Sequence, residues 1–188
     1  MKAPMVLLLT AFAAASGQDS TSFSELRLRV SAFRNPVIGH IADDWRPGTG
    51  GQVELATNVG RGDLGLSVSH IRYTPTSGKP PFTGTMFTLA LMTPFMSVAR
   101  MELSAGARLT DLRLDIDDPA LVGGLRTEEE VMLGAIARAR LPLGHRFSAF
   151  VDGSWGVLML DTKTPVVLLH AGVERGMRMP GFLREILR

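Results

Sequence analysis

Eight stretches of this chain alternate apolar and polar residues with a period of two. That pattern all but dictates β-strands, because a helix would scatter the same residues around its axis. In the first stretch Leu26, Leu28, Val30 and Ala32 alternate with Glu25, Arg27, Arg29 and Ser31. The others run over Gln52 to Val59, Leu64 to His70, Thr85 to Met92, Val98 to Thr110, Val131 to Leu141, Arg146 to Met159 and Val166 to Arg178. The connections carry a second rhythm. Asn35 to Gly51 is long, Gly60-Arg61-Gly62 short, Thr74 to Pro81 long and Thr93-Pro94-Phe95-Met96 tight. Asp111 to Glu130 is the longest, Pro142-Leu143-Gly144-His145 is tight again, and Asp161 to Thr164 comes last. Long and short links that alternate along consecutive strands predict an all-β, eight-stranded antiparallel up-and-down barrel that crosses a bilayer, with its short turns on one side.

The N-terminus fits an exported chain. Lys2 precedes an apolar run from Met5 to Ala15 and the small residues Ala15-Ser16-Gly17, the plan of a secretory signal peptide over 1–17 with cleavage before Gln18. The run is too short to span hydrocarbon as a helix, which needs about 20 apolar residues. Later apolar runs are broken by Arg, Glu, Asp or Gly within a few residues, so transmembrane helices are not expected. Without cysteine, disulfides, thiolate zinc and cysteine-linked lipid are excluded. Arg and acidic residues are mixed along the same segments and the formal charge is +2, which argues against a nucleic-acid partner.

Residues 18–179 are therefore read as one barrel domain whose strands have unlike faces. One face carries Leu28, Val30, Val53, Leu55, Leu66, Val68, Phe87, Leu133, Val151, Trp155, Leu169 and Val173. The other carries Arg27, Arg29, Glu54, Arg100, Glu102, Arg108, Arg138, Arg140, Asp152, Glu174 and Arg178. In lipid the apolar face must point outward, and eight strands enclose a lumen that side chains fill. The charged set is then the expected interior network, Arg paired with carboxylate, because an unpaired buried charge costs several kcal/mol. In a soluble lipocalin-like barrel the faces would be inverted around an apolar ligand, so a periplasmic carrier stands as the alternative.

These features together resemble the small outer-membrane β-barrel proteins of the OmpA/OmpX type, over Ser22 to Met179. The resemblance implies location in a bacterial outer membrane, contact with its lipid, no cofactor, and a structural or interaction role with a surface partner met through long outer loops. Asp43, Asp44 and Trp45 in the first loop and Asp115, Asp117 and Asp118 in the longest are the expected interaction residues. Such barrels usually end on a strand with a terminal aromatic, whereas this chain continues through Pro180-Gly181. In that tail (180–188), Phe182, Leu183, Ile186 and Leu187 gather on one side of a short amphipathic helix.

A lipid-modifying enzyme is the third reading. Ser69 and His70 are neighbours on a strand and point to opposite faces, so they cannot form a nucleophile and base pair. His40, His145 and His170 have no partner at fixed spacing. No enzymatic activity and no metal site are expected.

Overall fold

The computed structural model describes residues 23–35, 44–76, 78, 80–117, 127–159 and 164–186. The expected signal peptide and residues 187–188 lie outside them. The strands are β1 (Glu25–Arg34), β2 (Trp45–Pro47), β3 (Thr49–Val59), β4 (Gly62–Pro75), β5 (Phe82–Val98), β6 (Met101–Ile116), β7 (Thr127–Pro142), β8 (Phe147–Leu158) and β9 (Thr164–Arg178), followed by helix α1 (Gly181–Ile186). Strand order β4-β3-β1-β9-β8-β7-β6-β5, with β4 also paired to β5, closes a ring of eight. All pairings are antiparallel, and β2 only extends the edge of β4. The start of β1 and the end of β9 lie together at the short-turn end, where the Met179 amide donates to the Ser24 carbonyl oxygen at 3.2 Å.

The faces point as a membrane barrel requires. Val53, Leu66, Phe87, Val151, Trp155 and Val173 stand outward and about half exposed. Arg29, Glu54, Arg138, Asp152 and Glu174 point inward and are buried. The carrier alternative needs the opposite sidedness and does not fit this arrangement. The eight strands of the ring run from 10 to 17 residues, enough for the roughly 9–11 that a tilted transmembrane strand needs.

Three expectations are corrected. The turn after the fourth long strand falls at Ala99-Arg100, not at Thr93 to Met96, because β5 continues through Pro94. Pro94 cannot donate to the ladder, and the register shifts between Pro94 and Met96 as a bulge absorbs the defect. Strands at the opposite end run further than expected: β4 continues to Pro75, β6 to Ile116, and β7 begins at Thr127. Finally, Trp45 and Asp115 sit on β2 and β6, so they are strand residues and not loop residues.

Glycine permits the tight curvature. A Cβ on Gly106 would fall onto the Leu91 carbonyl of the neighbouring strand, leaving no room for any other residue.

Candidate functional site

The lumen is filled in two zones, one charged and one apolar. Toward the short-turn end, charged side chains form a continuous chain of ion pairs. Glu102 faces Arg140 at 3.8 Å. Arg140 faces Glu174 at 2.8 Å, off the angle of a hydrogen bond. Glu174 accepts from Arg29 at 2.5 Å, and Arg29 also donates to Glu54. Glu54 accepts from Arg138 at 3.1 Å, and Arg138 donates to Asp152 at 2.8 Å. Arg27 sits beside this chain, donating to Asp63 at 2.5 Å and to Glu25 at 2.8 Å. A shared carboxylate keeps each buried guanidinium compensated where water is excluded. Gly65 makes room for this: its missing Cβ would lie 2.7 Å from Glu54 Oε1.

Arg108 is the exception. It is buried, yet it donates to Ser154 Oγ at 2.6 Å, to Thr110 Oγ1 at 3.0 Å and to Thr88 Oγ1 at 3.2 Å, with no carboxylate in contact among the described residues. Beside it, a small space lined by Gln52, Ser67, Asp152 and His170 amounts to about 10 Å³, room for about one water. This is a filled interior and not a channel.

Two residues expected in the network lie elsewhere. Arg100 occupies the Ala99-Arg100 turn and is exposed, a direct result of the displaced hairpin. Arg178 ends β9 and is exposed at the barrel mouth. Sequence reading missed Asp63, which follows the Gly60-Arg61-Gly62 turn and has the inward parity of Ser67 and Ser69. That parity was the available signal.

Toward the long-loop end the lumen is closed by an apolar layer of Phe33, Ile71, Tyr73, Met86, Met132, Leu158 and Leu168. Trp45, Phe82, Leu112 and Val166 pack against it. Asn35 Nδ2 donates to Tyr73 Oη at 2.8 Å, Tyr73 stacks on Phe82 at 4.5 Å, and His170 stacks on Phe33 at 4.9 Å. None of this layer was foreseen. Met86, Met132, Leu158 and Leu168 lie within the expected strands, on the face opposite the apolar one, and Phe33, Ile71 and Tyr73 continue that inward parity just past the expected ends of the first and third strands.

At the outer surface, Trp45 is fixed and not free. Its indole N–H donates to the Pro80 carbonyl oxygen at 2.9 Å, and its ring meets Phe82 edge-on. The Asp44 carbonyl oxygen accepts from the Thr76 amide. Asp115 accepts from Arg113 and from Thr127 Oγ1, both at 3.1 Å, and Asp117 pairs with Arg72 at 3.3 Å. Such exposed pairs contribute at most about 1 kcal/mol each, so they leave the charges open to a partner. Asp43 and Asp118 lie outside the described residues. His70 is exposed on the outer wall with Nδ1 3.2 Å from Thr85 Oγ1, whereas Ser69 is buried in the lumen.

No family model matches the chain, and no curated protein matches it in sequence. Solved structures do match in fold. Neisserial surface protein A is similar at 12% identity, with a TM-score of 0.55 over 81% of this chain and 96% of that one. The N-terminal β-barrel domain of Pseudomonas aeruginosa OprF matches at 12% identity and a TM-score of 0.52, over 83% of this chain and 99% of that one. Ail of Yersinia pestis, solved with the heparin analogue sucrose octasulfate, matches at 12% identity and a TM-score of 0.53, over 83% and 99%. The chain has the closed eight-stranded fold of the small outer-membrane barrels.

Proposed function

We propose that this protein is an outer-membrane barrel of a diderm bacterium, closed to ion flow, with a structural role or one in binding a surface partner through its long-loop end. One observation carries the membrane reading: the wall is apolar outside and charged inside, the reverse of a soluble protein. The outer surface supplies the candidate contacts, with Arg72, Arg113 and Asp115 on extended strands of a rigid ring and Asp117 just past the end of β6. The likeness to Ail, whose structure holds a sulfated sugar, supports looking there for a ligand. A non-catalytic role is favoured because, among the described residues, neither Ser69 with His70 nor His170 on its Phe33 stack forms a nucleophile and base pair.

The test is electrophoretic migration of the membrane fraction in SDS, with and without boiling. A membrane-bound species that migrates differently until heated supports the reading. A soluble species with no shift overturns it.

A further inference from the structure

The mouth of the barrel at the short-turn end holds a cleft of about 500 Å³ between the start of β1, the end of β9 and the β7–β8 turn. Glu25, Arg140, His145, Arg146 and Arg178 form much of its polar wall. The cations are not all used. Glu25 is bound by Arg27 at 2.8 Å, and Arg140 faces Glu174 at 2.8 Å. Arg146 and Arg178 have no carboxylate partner among the described residues. The cleft therefore presents two uncompensated guanidiniums, the side chain best matched to phosphate oxygens.

The wall outside the same mouth has the opposite character. Leu143 is 62% exposed, Phe147 53% and Met177 37%. Arg175 lies over the Phe147 ring at 5.7 Å, so a cation also rides on this apolar rim. An apolar outer rim beside a cationic inner wall suits an amphiphile whose tail lies against the barrel and whose head folds over the edge.

We infer that this cleft binds the phosphodiester head of an anionic phospholipid from the adjoining leaflet. The inference rests on the membrane reading above. Arg146 and Arg178 hold the phosphate, and Leu143, Phe147 and Met177 meet the upper acyl chains.

The full chain, folded in micelles containing equal phosphatidylglycerol and phosphatidylcholine, is examined by native mass spectrometry for retained lipid. Phosphatidylglycerol should be retained preferentially. Arg146→Gln and Arg178→Gln should each weaken that retention about fivefold. Arg61→Gln, an exposed arginine in another turn at the same end, should leave it unchanged. Each variant is first shown to give the heat-shifted band, so misfolding is separated from lost binding. Equal retention of both lipids overturns the proposal, as does an equal loss in Arg61→Gln, which would reduce the effect to general rim charge. Displacement of the lipid by millimolar inorganic phosphate would overturn the lipid as the source of the phosphate. A chain that never inserts would sink the membrane reading and this proposal together, whereas insertion without preference sinks this one alone.

Discussion

Glu54 of β3 meets Arg138 of β7 at 3.1 Å across the full lumen, because their strands sit four places apart in the ring of eight. The same carboxylate also serves Arg29, so one acidic group compensates two buried cations from opposite walls. Glu54→Leu leaves both without that charge and should cost about 3–5 kcal/mol, read from the urea unfolding midpoint in lipid vesicles. The double variant Glu54→Leu/Arg138→Leu should cost clearly less than the two single changes added together. Strict additivity would show that the two side chains are not coupled.

Arg108 should behave differently despite equal burial. Its partners are hydroxyls, and Thr88 and Thr110 keep a mutual hydrogen bond of 2.9 Å without it. Arg108→Met should change stability by about 1 kcal/mol or less, because only neutral groups lose a partner. Arg138→Met, which strands Asp152 and leaves Glu54 with Arg29 as its remaining cation, should cost about 3–5 kcal/mol. Equal losses in the two variants would contradict this difference.

Curvature gives a steric prediction. Gly106→Val has no space beside the Leu91 carbonyl and should yield no heat-shifted band at any temperature. Gly144→Ala, in the β7–β8 turn with nothing near its missing Cβ, should fold within about 0.5 kcal/mol of the parent. A folded Gly106→Val barrel would mean that β5 and β6 approach less closely than described.

The two tryptophans report the sidedness of the wall. Trp155 is 55% exposed on the outer face, whereas Trp45 packs into the layer that closes the long-loop end. Brominated acyl chains should quench most of the emission of Trp45→Phe, which keeps Trp155, and little of that of Trp155→Phe. Equal quenching of the two variants would place Trp45 in lipid and undo the assignment.

The eight long strands and their faces were legible because period two admits few alternatives once it recurs along a chain. The hairpin at Ala99-Arg100 was not, since Pro94 is a strong turn signal and nothing local shows that a bulge absorbs it. That single displacement also moved Arg100 out of the interior. The apolar closure by Phe33, Ile71 and Tyr73 is hidden for a related reason: the alternation of apolar and polar residues weakens before those positions. Which carboxylate meets which guanidinium was beyond reach. The partners of Glu54 depend on ring closure and on the stagger of strands far apart in sequence.

Arg29 and Glu174 lie on the first and last long strands, 145 positions apart, and face each other over the seam between β1 and β9. Arg29 and Arg140 both rely on Glu174, so a nascent barrel lacking β9 holds two interior cations short of a partner. The final strand thus settles the internal charge balance at the same moment as it completes the backbone ladder. An open sheet therefore carries an unpaired edge and an incompletely compensated interior at once, and closing the circle removes both.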